Sequence, residues 1–135
     1  MKILLLGSNG QLGKELERQL SEVGIVKAFS RSSLDITDYK LVKDTVKIIN
    51  PNIIINAAAY TAVDKAEDDK EKAYAINSDA VENLAQIAKT EDALLIHYST
   101  DYVFDGTKQT PYVENDLTKP INVYGASKSA GEQAI

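Results

Sequence analysis

The first thirteen residues constrain this chain more than any other stretch. Ile3-Leu4-Leu5-Leu6 is an unbroken apolar run, and Gly7-Ser8-Asn9-Gly10-Gln11-Leu12-Gly13 follows it directly. A short run without polar alternation fits a strand buried on both faces, the habit of parallel sheets. Leu12, Leu16, Leu20 and Val23 then recur at helical spacing, with Lys14, Glu15, Glu17 and Arg18 between them, so one stripe is apolar and the rest is polar. Gly24 is a natural helix stop. A buried strand, a glycine-rich turn and an amphipathic helix in that order form the opening unit of a layered α/β domain.

The same alternation continues. Val26 to Phe29 reads as a second strand and Leu34-Asp35-Ile36 as a weak third. Asp38 is placed to cap a helix carrying Leu41, Val42, Val46 and Ile49, which Asn50-Pro51 ends. Ile53-Ile54-Ile55 is the clearest β-branched run and leads into Asn56-Ala57-Ala58-Ala59. Residues 64–76 read as a charged helix, with Glu67 to Lys72 as its solvated face, and Ala80, Leu84, Ile87 and Ala88 mark the next. Leu94-Leu95-Ile96 is a further strand, 105–120 a polar loop, and a last helix starts near Val123. Short apolar strands alternating with helices predict a Rossmann-like, doubly wound parallel sheet with helices on both faces.

That context gives the glycines a chemical reading. Gly7 and Gly10 permit a sharp turn and close backbone approach to a pyrophosphate, and Gly13 allows the helix to pack tightly on the sheet. The helix N-terminus offers free N–H groups and partial positive charge to the same phosphates. An ordinary strand-to-helix turn is the plain alternative. Dinucleotide sites often carry an acidic residue at the end of the second strand; this chain has Ser30-Arg31 there. A guanidinium can pair with a 2′-phosphate, which tilts the expectation to NADP(H) over NAD(H). Arg31 reads equally as a solvated surface charge, and Asp35-Ile36 as an adenine contact or a mere strand end.

Tyr124 and Lys128 stand four residues apart, so a helix would put them on one face. A nearby ammonium favours the phenolate and lowers the tyrosine pKa towards working pH. Tyr124 could then give a proton to a carbonyl oxygen as hydride reaches its carbon, with Lys128 also able to hold the nicotinamide ribose. Thr100 follows an apolar run, at the strand end where ligands sit in open parallel sheets. Its hydroxyl could fix the same carbonyl oxygen. Tyr-x-x-x-Lys by itself is also met on inconsequential helix surfaces.

Composition removes other classes. A net charge of −5 argues against a general nucleic-acid binder. There is no cysteine for thiolate chemistry and a single histidine, His97, so no histidine-rich metal site is expected. His97 itself reads as a packed structural residue; Tyr102 and Phe104 could face a substrate pocket, although packing is their plainer reading. No apolar stretch reaches the ~20 residues of a membrane span, and no signal-peptide pattern opens the chain, so a cytoplasmic location is expected.

The glycine loop, Asn56-Ala57-Ala58-Ala59, Ser99-Thr100-Asp101-Tyr102-Val103-Phe104-Asp105-Gly106 and Tyr124-Gly125-Ala126-Ser127-Lys128 occur in that order. Together they resemble the extended short-chain dehydrogenase/reductase superfamily, and within it the dTDP-4-dehydrorhamnose reductase family. The stretch from Asn56 to Glu67 is the other specific segment, and the resemblance covers essentially the whole chain. It implies reduction of the 4-keto group of dTDP-4-dehydro-L-rhamnose with NADPH or NADH. By position it implies a catalytic set of Thr100, Tyr124 and Lys128. It implies cofactor contacts at Gly10, Gln11, Leu12, Asp35, Ile36, Ala59, Tyr60 and Thr61, with Ala58 beside them, and substrate contacts at Thr100 and Asp101. Family members can use magnesium at a dimer contact involving an acidic residue of the first helix. Glu15 stands in that place, although a solvated helix face is its plainer reading. A homodimer is compatible with the resemblance.

Ile135 lies seven residues after Lys128, whereas family members continue for about another domain of ~100–150 residues. The expectation is therefore an incomplete cofactor-binding domain, residues 1–135, without its C-terminal substrate domain, and with weak or no turnover alone. A non-catalytic nucleotide-binding regulator, or another sugar-nucleotide reductase or epimerase of the superfamily, are the competing readings. Intact Thr100, Tyr124 and Lys128 favour the enzyme.

Overall fold

The apolar runs become the four strands of one parallel sheet in the computed structural model, which describes residues 1–135. They are β1 (Lys2–Leu6), β2 (Ile25–Phe29), β3 (Ile53–Asn56) and β4 (Leu94–His97), in the order β2-β1-β3-β4. Leu6 is level with Phe29 on one side and Asn56 on the other, and Asn56 is level with His97. The strand C-termini therefore share one edge.

Successive side chains of a strand point to opposite faces, and both faces here are covered. Leu4, Leu6 and Ile54 pack with Val42 and Val46 of α2 (Tyr39–Ile49) and Leu84 and Ile87 of α4 (Ala80–Thr90). Ile3, Leu5 and Ile55 meet Leu16 and Leu20 of α1 (Gln11–Leu20) on the other side. Ile3 to Leu6 are all fully buried, which is why that run shows no alternation. At ~1.5–3 kcal/mol for each buried aliphatic side chain, this strand contributes heavily to stability. The last helix, α5 (Val123–Gln133), packs on the segments between β3 and α4 and adds Tyr124 to the larger core.

Local signals set the helix ends. The Asp38 side chain accepts from the Leu41 N–H at 2.9 Å, and Asn50, at φ 49°, ends α2 in the left-handed conformation. Leu34-Asp35-Ile36, in contrast, does not form the expected third strand. The Ser33 and Leu34 N–H groups donate back to the Ser30 carbonyl, at 3.1 and 2.9 Å, and the Asp35 carboxylate accepts from the Thr37 backbone and hydroxyl. These local bonds use groups a sheet would need. Leu34 and Ile36 still join the core, from a turn.

The single helix expected over 64–76 is also replaced. A 3₁₀ turn covers Asp64–Glu67, α3 covers Lys70–Tyr74, and a π-helical segment, Ala75–Asp79, runs directly into α4. Asn77, buried within that segment, is held by bonds outside the helix, consistent with the wider turn. Strand order reverses beside β1, so the connections leaving β1 and β3 diverge and open a crevice at the strand C-termini.

Candidate active site

That crevice is a cleft of about 550 Å³, well within the range of small-molecule sites. Its floor is the glycine loop. Gly7 has φ +81°, and a Cβ there would lie 2.6 Å from the Ala58 backbone nitrogen. A Cβ on Gly13 would lie 2.2 Å from the Gly7 carbonyl oxygen. Only glycine fits either place. Gly10 caps α1 without any side-chain hydrogen bond, so the first N–H groups of the helix remain available at the cleft. Gly7, Gly10, Gln11 and Leu12 line it; Gly13 lies beneath it as a packing residue.

The β2 end forms one flank. Arg31, Leu34, Asp35 and Ile36 line the cleft. Arg31 Nε donates to the Asp35 carboxylate at 3.2 Å and is otherwise largely exposed. The Thr37 N–H and hydroxyl, more than Arg31, hold the Asp35 carboxyl below its usual pKa. Ser30 does not line the cleft; its hydroxyl lies 2.9 Å from that of Ser32 and 3.2 Å from that of Ser33.

The opposite flank combines the loop after β3 with α5. Asn56, Ala57, Ala58, Ala59 and Thr61 line it together with Tyr98, Ser99, Tyr124 and Lys128. Two acceptors cap α5: the Asn122 side chain takes the Gly125 N–H at 2.7 Å, and Glu67 takes the Val123 N–H at 2.8 Å. Glu67, read from sequence as part of a solvated face, thus anchors the start of this helix. Gly125 and Gly131 let α5 approach closely, since a Cβ on either would lie 2.1 Å from a carbonyl oxygen, of Tyr102 and Asn77 respectively.

A buried polar clamp joins α5 to the cleft wall. Asn77 accepts from the Tyr60 N–H at 2.8 Å and donates to the Tyr60 carbonyl and the Ser127 hydroxyl, both at 3.0 Å. Ser127 in turn donates to the Tyr124 carbonyl at 2.7 Å. The Tyr60 side chain turns away from the cleft to donate to Asp69. Tyr124 is mostly buried, edge-on to Tyr102 with ring centroids 5.5 Å apart.

Lys128 is only 2% exposed, and its Nζ donates to the Tyr98 carbonyl at 2.5 Å. Burial lowers its pKa to about 8, against a small upward pull from Glu132. Its Nζ also lies 3.2 Å from Nε2 of His97, whose Nδ1 is 3.2 Å from the Asn56 amide nitrogen. His97, expected to be a packed residue, therefore touches Lys128 directly. Burial first, and then the Lys128 charge, bring its pKa down to about 4.

The structure brings Tyr124 and Lys128 together in the cleft with the glycine loop and the Arg31–Asp35 pair. Thr100 and Asp101 stand just outside its lining, next to Ser99. The Thr100 hydroxyl donates to Asp101 and accepts from the Tyr102 N–H, at 3.2 and 3.3 Å. Glu15 lies on the exposed face of α1, ion-paired with Arg18 at 2.9 Å. Sequence reasoning did not assign Asn9, Leu34, Asn56, Ala57, Ile76, Tyr98 or Ser99 to the site, though all line the cleft, and it missed Asn77 behind it. Asn56 carried one signal, as the polar residue that ends a β-branched run; Asn77 carried none.

Comparison with known proteins gives a consistent picture. The family model described as the RmlD substrate binding domain matches residues 1–135. The dTDP-4-dehydrorhamnose reductase of Burkholderia thailandensis is 49% identical over 135 residues, all of this chain and 45% of the relative. That of Escherichia coli K12 is also 49% identical, over 139 aligned residues that take in all of this chain and 46% of the relative. The crystal structure of the Bacillus anthracis dTDP-4-dehydrorhamnose reductase in complex with NADP superposes with a TM-score of 0.96 at 44% identity, over 98% of this chain and 48% of that one. The chain thus spans about half the length of the relatives it matches.

Proposed function

The chain belongs to the RmlD substrate binding domain family, and from that premise we propose that it holds the cofactor site and acid/base residues for NAD(P)H-dependent reduction of dTDP-4-dehydro-L-rhamnose to dTDP-L-rhamnose. One observation carries the reading: Tyr124, Lys128 and the uncapped start of α1 converge on a single cleft. The residues fit a dinucleotide. Gly7 and Gly10 leave the loop backbone bare, and the free N–H groups of α1 suit a pyrophosphate.

When bound, NADPH or NADH supplies the hydride that reduces the keto carbon. Tyr124 gives its phenolic proton to the keto oxygen as negative charge develops there. Lys128, when charged, stabilises the phenolate left behind. The Thr100 hydroxyl, freed from Asp101, donates to the same oxygen, and Asp101 contacts substrate beside it. Gly7, Gly10, Gln11 and Leu12 hold the pyrophosphate, with Asp35 and Ile36 at the adenine. Ala58, Ala59, Tyr60 and Thr61 supply the remaining cofactor contacts.

Cofactor choice rests on Arg31, since Ser30 stands outside the cleft lining. Arg31 lines the cleft, largely exposed beside Asp35, and a guanidinium there suits a 2′-phosphate and favours NADP(H). Glu15, the residue the resemblance implies for magnesium at a dimer contact, lies on the exposed face of α1 beside Arg18. No helix is long and apolar enough to cross a membrane, and a cytoplasmic reaction fits the nucleotide cofactor.

The test is Tyr124→Phe, read as NADPH consumption with dTDP-4-dehydro-L-rhamnose and, in parallel, as calorimetric NADPH binding. Turnover should fall by ~10²-fold or more, the usual weight of a general acid, while binding is spared. Undiminished turnover would remove Tyr124 as the proton donor. NADPH binding without turnover in the unsubstituted chain would point to a cofactor domain lacking its substrate half or to a nucleotide-binding regulator, and the same assay on a longer chain separates the two.

A further inference from the structure

Asn56 of β3, His97 of β4 and Lys128 of α5 form a line of polar side chains at the end of the sheet, with both links 3.2 Å long. Asn56 fixes the direction of that line. Its Oδ1 accepts from the Ala58 N–H at 3.1 Å, and a flipped amide would set N–H against N–H there. Its Nδ2 therefore faces His97, and Nδ2 has protons to donate and no lone pair to offer. His97 Nδ1 must be the acceptor. A neutral imidazole carries one ring proton, which leaves it on Nε2, pointing at Lys128.

An ammonium has three donors and no acceptor, so it cannot satisfy that N–H. A neutral amine can. Its lone pair accepts from Nε2–H while one of its own N–H groups donates to the Tyr98 carbonyl. We infer that His97 is a positioning residue for Lys128: Asn56 holds it as the Nε2–H tautomer, and the N–H it presents favours the lysine as a neutral amine.

Burial of Lys128 acts in the same direction, and Glu132, one turn further along α5, acts against it. Tyr124 shares the cleft from the same helix. The 3₁₀ turn Asp64–Glu67, a second at Asp101–Val103, α3 and the π-helical segment also pack on α5 and bring the charged groups Asp64, Lys65, Glu67, Lys70, Glu71, Lys72, Asp79 and Asp101 to its side of the fold. On the reductase reading, His97 thereby sets the pH at which a positive charge stands beside Tyr124. The tautomer assignment does not depend on that reading.

His97 is the sole histidine, so the ring ¹⁵N signals of this chain are unambiguous. At pH 9 without ligand, above the Lys128 pKa of about 8, they should show a protonated Nε2 and a bare Nδ1. A protonated Nδ1, or an imidazolium, would overturn the inference. The second arm is competitive acetylation of Lys128 across pH in wild type and His97→Gln. The glutamine can turn its oxygen to the ammonium, so the proton affinity of Lys128 should rise about tenfold; an unchanged affinity would count against the inference. If His97→Gln does not fold, the wild-type spectrum still decides. Neither arm uses substrate or turnover, so failure of the reductase reading is seen separately, in the NADPH assay.

Discussion

Asn77 is 1% exposed and contributes no atom to the cleft lining, yet its side chain joins the two flanking elements. Asn77→Ala removes its bonds to the Tyr60 N–H, the Tyr60 carbonyl and the Ser127 hydroxyl. Ser127 keeps its bond to the Tyr124 carbonyl and loses only an incoming donor. The Tyr60 N–H and carbonyl are left buried and unpaired, at ~1–3 kcal/mol each, for a loss of about 4 kcal/mol. That is a large share of the ~5–15 kcal/mol typical of a domain. The alanine also leaves a small void, so Asn77→Leu is the companion: it fills the volume and orphans the same groups. The loss common to both variants is the hydrogen-bond share. Urea unfolding followed by circular dichroism reads it as a lower midpoint at unchanged m. Because the clamp holds the wall formed by Ala58, Ala59 and Thr61, calorimetric NADPH affinity should fall as well. If both variants unfold within ~0.5 kcal/mol of wild type, the range of an unremarkable surface change, the clamp is not what fixes α5 to the cleft.

Two further outcomes are expected. Arg31→Ala should weaken NADPH binding by ~10–100-fold, the worth of a charge-assisted bond to phosphate, while leaving NADH nearly unchanged; an equal effect on both would detach Arg31 from the 2′-phosphate. The second concerns pH. His97 has a folded-state pKa of about 4 against an ordinary 6.5, so between those values the unfolded chain takes up a proton that the folded chain refuses. Its contribution is therefore complete above pH 6.5 and is lost as pH falls towards about 4. The carboxylates of Asp35 and Asp105, both held below 3.8 chiefly by bonds from threonine N–H groups, act at lower pH still. The urea midpoint of wild type should drop across the His97 window and that of His97→Phe should drop less; parallel profiles would mean that His97 is not the group responsible.

The parts of the fold visible in the sequence are those where one physical demand dominates a local stretch. Ile3 to Leu6 and Ile53 to Ile55 are apolar without alternation because both faces of the sheet are covered. Tyr124 and Lys128 declare a common face because helical spacing is local. Leu34-Asp35-Ile36 misleads because apolar-polar-apolar describes a half-buried strand and a core-filling turn equally well. The difference lies in whether Asp35 bonds a neighbouring strand or Thr37, and Thr37 has it. Asn77 was invisible because its importance comes from a π-helical turn and from partners 17 and 50 residues away in sequence.

His97 stands between these cases. Ile53-Ile54-Ile55-Asn56 and Leu94-Leu95-Ile96-His97 are each three apolar residues closed by one polar residue. Nothing in either run alone relates them. Parallel pairing does, because equal apolar segments side by side in register must end at the same level, and Asn56 and His97 are indeed paired. The polar ends then meet at the strand C-termini, which is also where the crevice opens and where α5 delivers Lys128. A contact between residues 41 apart thus follows from two local patterns once the sheet is known to be parallel. The tautomer of His97 follows in turn from the direction of a single amide.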